Sequence, residues 1–131
     1  MKRNILVLSS MVIALASFTI IEKDPWPVPD KFNKMANPVK SDAESLATGK
    51  EVWAKHCQSC HGKAGKGDGS KAAQLKTALD DFSKPDVQNQ TDGALFYKTS
   101  EGRKDMPSFK KKIADQDEIW AVVNYMRTFK K

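Results

Sequence analysis

Two cysteines and a histidine fall within one five-residue stretch, Cys57-Gln58-Ser59-Cys60-His61, and these are the only two cysteines in the chain. Two residues between the thiols set both sulfurs near one face of a turn, and the adjacent imidazole issues from the same turn. This pattern reads as a c-type haem attachment site, with Cys57 and Cys60 bonded to the two vinyl groups of one porphyrin and His61 as an axial ligand to the iron. Two thioethers and one ligand hold a haem without a large apolar pocket, which suits a small domain with little core to build from. The competing chemistries fit less well. A zinc site on the same thiols needs two more ligands, and the only histidines, His56 and His61, belong to this one turn. A thioredoxin-like dithiol needs flanking strands, and no stretch alternates with period two. A disulfide here would close a tiny loop, and a disulfide scaffold needs more cysteines. The run Gly65-Lys66-Gly67-Asp68-Gly69 lacks the strand–loop–helix context and the Gly-Lys-Ser/Thr ending of a phosphate loop.

A haem iron held by His61 has a second axial position, whose occupant decides the chemistry. His56 lies one residue before Cys57 and so on the His61 side of the ring. Met1 and Met11 sit in the N-terminal apolar run, Met126 falls on an apolar helix face, and Met35 lies in a proline-rich segment. Met106 follows Gly102, precedes Pro107 and has no helical periodicity around it. Pro107 stiffens the chain there and removes a donor that would need a partner. Met106 is therefore the expected second ligand, 45 residues after His61. Thioether sulfur is soft, so His/Met ligation favours the ferrous state and raises the reduction potential. It also closes the sixth coordination position. With no open site and no acid–base pair beside it, the expected activity is electron transfer, with no catalytic residue and no small-molecule substrate.

The elements that must position these residues are helical. Ser41-Asp42-Ala43-Glu44 reads as a capping box opening a helix. Leu46, Gly49, Val52, Trp53 and His56 recur at helical spacing and lead into the cysteine pair. Residues 62–69 form a loop with four glycines. A short helix is expected over 71–79, irregular chain over 80–90 with Pro85, and a helix over 93–100 capped by Thr91 or Asp92 and ended by Gly102. Asp115-Gln116-Asp117-Glu118 is a second capping box, opening a last helix to about residue 129 with Ile119, Val122, Val123, Met126 and Phe129 on one face. The expected fold is all-α, about four helices packed around one covalently attached haem.

At 131 residues there is room for one domain. Lys2 and Arg3 precede an uncharged run over residues 5–21, the pattern of an export signal. Ala14-Leu15-Ala16 is a small-x-small cleavage site. The run is 17 residues long, at the short end of a membrane span of roughly 17–25 residues. Residues 1–21 are thus an export signal or a membrane anchor, and the remainder works outside the cytoplasm, in the periplasm, either soluble after cleavage or anchored to the inner membrane by residues 5–21. Residues 22–40 hold Pro25, Pro27, Pro29 and Pro38, four of the six prolines. Residues 24–29 should be extended and helix-free, and the segment reads as a spacer, more readily a solvated linker than a docked one, although Trp26, Phe32 and Met35 could dock it. The haem domain takes residues 41–131.

These residues resemble the class I c-type cytochromes. The resemblance covers residues 43–129: Gly49-Lys50-Glu51-Val52-Trp53 ahead of the haem motif and Gly62, then Met106-Pro107-Ser108-Phe109, then Ile119-Trp120-Ala121-Val122-Val123-Asn124-Tyr125-Met126-Arg127. The interval from His61 to Met106 is similar to that of the compact bacterial branch. The resemblance implies that the first and last helices cross closely, with Gly49 and Trp53 facing Val122 and Tyr125. It also implies that a backbone carbonyl of the 67–70 loop orients the His61 imidazole, although Ser70 stands where many relatives have Pro.

The chain is basic, with 22 Lys+Arg against 16 Asp+Glu. No long single-sign block suggests a nucleic-acid tail. Lys98, Arg103, Lys104, Lys110, Lys111 and Lys112 flank the Met106 loop, opposed within that stretch by Glu101 and Asp105. Such a region would steer docking onto an acidic patch of a redox partner. The expected function is a monohaem electron carrier between respiratory partners. The alternatives are a cytochrome subunit held in a larger membrane oxidoreductase, with residues 22–40 as its docking arm, and a haem sensor or enzyme with an open axial site.

Overall fold

The computed structural model describes residues 24–131. Residues 1–21, read above as signal or anchor, lie outside the described residues. Among the described residues no helix is long and apolar enough to cross a membrane. Regular structure is helical: α1 (Asp30–Asn33), α2 (Ala43–His56), α3 (Gln58–His61), α4 (Pro85–Gln88), α5 (Asp92–Glu101) and α6 (Gln116–Arg127), with a 3-10 turn at Ala72–Gln74. The all-α expectation holds. Three of the six helices are single turns, so α2, α5 and α6 form the frame.

The frame starts where capping residues allow. The α2 cap is Asp42, one residue later than expected. Its carboxylate accepts from Ser45 N at 3.0 Å, and Ser45 Oγ accepts from Asp42 N at 3.2 Å. Ser45 is buried and its hydroxyl donates to Lys40 O at 2.7 Å, which ties the cap to the preceding chain. Thr91 caps α5, accepting from Ala94 N at 3.1 Å, and Gly102 ends it with φ at 68°. Asp115 caps α6. That helix stops at Arg127, short of residue 129, yet Phe129 still packs on Trp53, with ring centroids 5.0 Å apart.

The expected helix over 71–79 is reduced to the 3-10 turn. The amides of Lys76 and Thr77, which a helix would turn onto its own carbonyls, donate instead to the Asp105 carboxylate at 2.9 Å each. The expected irregular stretch over 80–90 contains α4. Pro85 opens that turn at its first position, where the missing N–H has no helical partner to lose.

α2 and α6 cross at Gly49. A methyl there would collide with the Ala121 carbonyl and the Tyr125 Cβ, so only glycine permits the approach. Trp53, Ile119, Val122 and Val123 are fully buried at this interface and its flanks. Each such side chain contributes about 1.5–3 kcal/mol by leaving water. α5 joins through Phe96, stacked on Trp120 at 4.0 Å and 11°.

Residues 24–40 contradict the solvated-linker reading. Residues 24–29 are helix-free, but the segment lies on the domain. Phe32 meets Tyr97 of α5, with ring centroids 4.7 Å apart. Asn37 Nδ2 donates to Trp120 O at 3.2 Å and to Asn124 Oδ1 at 2.9 Å. Buried Asn124 donates in turn to Val39 O at 3.0 Å. Composition identified the prolines; it carried no sign of these polar partners on α6.

Candidate functional site

α2 passes straight into the cysteine motif. Cys57 N donates to Trp53 O at 2.9 Å, and His61 N donates to Cys57 O at 2.9 Å, so Cys57, Cys60 and His61 share one further helical turn, α3. The glycine loop then folds back over that turn. Gly67 N donates to His61 O at 2.9 Å, Gly69 N to Cys60 O at 3.1 Å and Lys71 N to Ser59 O at 2.8 Å. The end carbonyls of α3, otherwise orphaned, are satisfied by this loop. Trp53 Nε1 donates to Gly62 O at 3.1 Å, fixing the loop's start against the core.

His61 sits between aromatic rings, 5.8 Å from Trp53 and 5.1 Å from Phe82 by ring centroid. Its burial holds the imidazole below the ordinary histidine pKa. Nδ1 is buried without a hydrogen-bond partner, so the loop carbonyl expected to orient this ring does not do so here. Cys57 is buried and Cys60 half-buried, and no disulfide joins them. Burial, with the neighbouring Cys60 adding, pushes the Cys57 thiol up to about 12. Among the described residues no cluster of His, Cys, Asp or Glu could hold a metal ion.

Met106 lies in a turn closed by paired backbone bonds. Arg103 N donates to Met106 O at 2.9 Å, and Met106 N donates to Arg103 O at 3.0 Å. Lys104 inside the turn has φ at 54°, a left-handed conformation unfavourable for a residue with a Cβ. The turn is tied on both sides. Asp105 accepts the Lys76 and Thr77 amides, and hydrogen bonding from the Thr77 side chain, then from these amides, holds its carboxyl below the usual range. Beyond Met106, the Ser100 carbonyl at the end of α5 accepts from Ser108 Oγ at 2.7 Å, Phe109 N at 3.1 Å and Lys110 N at 3.1 Å.

Three of the four expected site residues border the apolar core. Cys57 belongs to it, Met106 packs against it, and the His61 ring touches Trp53 and Phe82, both members. Two thiols and an imidazole on one turn, with a thioether on the same core as Cys57, form a donor set that fits a covalently held haem. The other candidates go elsewhere. His56 packs edge-on against Phe109, Met126 is buried in the core and Met35 is exposed. Sequence reasoning missed Phe82 beside His61, inside a stretch read as irregular. It counted Asp105 only as an opposing charge; a lone acid directly before the candidate ligand in a basic stretch was the signal for a tether.

Residues 44–126 match the family described as "Cytochrome C oxidase, cbb3-type, subunit III". A cytochrome c6 of Cladophora glomerata is 36% identical over 85 residues, covering 65% of this chain and 89% of that protein. The solved structure of the c-type cytochrome KustC0563 is similar with a TM-score of 0.55 at 27% identity, over 63% of this chain and 98% of that one. A chain of the Kuenenia stuttgartiensis reducing HAO-like protein complex Kustc0457/Kustc0458 gives a TM-score of 0.65 over 84% of this chain. Only 53% of that larger chain is spanned, about half its length, and at 21% identity the likeness is one of fold.

Proposed function

This chain belongs to the class I c-type cytochromes, which carry covalently bound haem c and transfer electrons, and on that premise we propose that it is a monohaem carrier with His61 and Met106 as axial ligands. Haem c, when bound, supplies reversible one-electron chemistry at its iron. Cys57 and Cys60 are its attachment points. α3 and the glycine loop fix the His61 backbone, Trp53 and Phe82 flank its imidazole, and the tethered 103–106 turn would present the Met106 sulfur. The observation that carries the reading is that Cys57, His61 and Met106 all border one apolar cluster although Met106 is remote in sequence. Trp53 and Phe82 exclude water from the imidazole side, which favours a tuned potential over reaction with solvent. No residue is assigned a catalytic role.

Residues 1–21 export the chain to the periplasm, where they are cleaved or remain as an inner-membrane anchor, and the domain serves respiratory redox partners there. The basic residues between 98 and 112 dock onto an acidic patch of such a partner. A second reading, a cytochrome subunit held in a larger oxidoreductase, is favoured by the matched family's description. Residues 24–37 do not favour it, because they lie on the chain's own domain. Co-purification after mild detergent extraction separates the two.

The ligand set is tested by the visible spectrum of the protein, with denaturation to show that haem stays attached. Met106→Ala removes the sulfur-to-iron charge-transfer band and creates binding of carbon monoxide or cyanide. An unchanged spectrum overturns the ligand assignment and returns the open-site sensor or enzyme.

A further inference from the structure

The tip of the N-terminal segment makes an unusual choice of partners. Arg103 Nη1 donates to Pro25 O at 2.6 Å and Nη2 to Asp24 O at 3.1 Å. The Arg103 guanidinium lies 4.8 Å from the Trp26 ring centre, and the Lys98 ammonium lies 5.5 Å from it. Lys104 forms an ion pair with the Asp24 carboxylate. Lys98, Arg103 and Lys104 all contact residues 24–26. Trp26 is half-buried and takes two cations on its ring.

Arg103 is also the residue whose backbone pairs with Met106 in both directions. One residue thus grips the N-terminal tip with its side chain and the candidate ligand with its main chain. The strap reaches this point along α5. The Phe32 carbonyl lies so close to Gly93 that any Cβ there would strike it, and Asn37 secures the far end on α6. The left-handed Lys104 adds to the case, since a turn carrying a disfavoured conformation persists only where its surroundings over-determine it.

We infer that residues 24–37 form a strap that positions Met106 through Arg103, so that the segment before the haem domain controls how firmly the distal ligand is held. Arg103 and Trp26 are positioning residues; neither is assigned a contact with the haem. The inference rests on the reading of Met106 as the axial ligand. The strap closes the equilibrium between a Met-on turn and a Met-off turn that admits an added ligand.

The test uses the full chain with haem attached and compares Arg103→Ala, Arg103→Lys, Trp26→Ala and Asn37→Ala. Cyanide binding to the oxidised protein is followed together with the sulfur-to-iron band, the midpoint potential and the thermal midpoint. Arg103→Ala and Trp26→Ala should retain the band yet admit cyanide about tenfold faster, a shift within reach of the contacts removed. Arg103→Lys should fall between, because one ammonium cannot serve two carbonyls and an aromatic face as a planar guanidinium does. Asn37→Ala, at the far end, should lower the thermal midpoint without that acceleration. Wild-type cyanide rates in both Arg103→Ala and Trp26→Ala would overturn the inference. So would an acceleration that merely tracks lost stability across all four variants. Where Arg103→Ala does not fold, Trp26→Ala decides alone. Met106→Ala, run in parallel, separates the levels: a band that survives it sinks the ligand reading, whereas a band it abolishes beside unchanged cyanide rates in the strap variants sinks the strap alone.

Discussion

Gly49→Ala sets helix propensity against packing, and the structure decides the sign. In a helix interior alanine is better than glycine by about 1 kcal/mol. The added methyl would strike the Ala121 carbonyl of α6 and stand 2.9 Å from the Tyr125 Cβ. The obstacle is helix backbone, not a side-chain tip that can turn away. α2 and α6 must therefore part, which loosens the packing around Trp53 and Val122, both buried there. Overpacking usually costs about 1–3 kcal/mol, and a clash with backbone belongs at the upper end. The net loss should be about 2 kcal/mol, or roughly 10 °C in thermal midpoint for a domain of this size. The assay is thermal unfolding of the oxidised haem protein by far-ultraviolet circular dichroism. Ala47→Gly, at an exposed position of the same helix, calibrates the propensity alone. If Gly49→Ala raised the midpoint by as much as Ala47→Gly lowers it, the close crossing would be refuted as the reason for glycine.

Arg127 donates to Asp92 Oδ1 through Nε at 2.9 Å and Nη2 at 2.6 Å, and to the Gln88 and Gln90 carbonyls at 2.9 and 2.7 Å. Arg127→Ala should cost about 2 kcal/mol in urea unfolding, and Arg127→Lys should recover less than half, because an ammonium cannot span these acceptors; a lysine variant matching wild type would contradict the fork geometry. Hydrogen bonding and charge from Lys104, then the charge of Arg103, hold the exposed Asp24 carboxyl below its ordinary value. Its folded pKa is the lower one, so the tip contact is complete above about pH 4 and is lost as the pH falls through that lowered value. The Trp26 indole resonance should move only in this acid range, and movement near neutrality would exclude Asp24 as the cause. Asp24 also adds an anion to the basic region. Asp24→Asn should make the electron-transfer rate with an acidic partner fall more steeply with salt, over the range where screening shortens from about 30 to 10 Å; a flat profile in both proteins would sink docking through 98–112.

Legibility followed sequence distance. The turn that carries Cys57, Cys60 and His61 was readable because its geometry is local, set by backbone bonds within a few residues. The framework helices were readable from apolar spacing and caps, and Asp42 displaced Ser41 as cap because Ser45, not Glu44, completes the box. Two failures have one cause. Residues 71–79 have the composition of a helix, but the Asp105 carboxylate takes two of their amides. Residues 24–40 have the composition of a linker, but Asn124, Arg103 and Tyr97 receive them. In each case the deciding partner lies tens of residues away, and composition carries no record of it.

The same asymmetry governs how the proposed site should fail. Its proximal half lies in one turn, joined to haem by covalent bonds and closed by the glycine loop. Its distal half reaches the cluster only through tertiary contacts: Asp105 to Lys76 and Thr77, Arg103 and Lys104 to the strap, and the Ser100 carbonyl to residues 108–110. Several of these tethers are exposed, where a hydrogen bond or ion pair is worth about 1 kcal/mol or less. Regions held by exposed polar contacts open at lower free energy than regions held by a packed core. The Met106 turn should therefore open before the α2–α6 crossing yields. The strap sits where it can change that opening without altering the crossing, which is why ligation and global stability should separate in its variants.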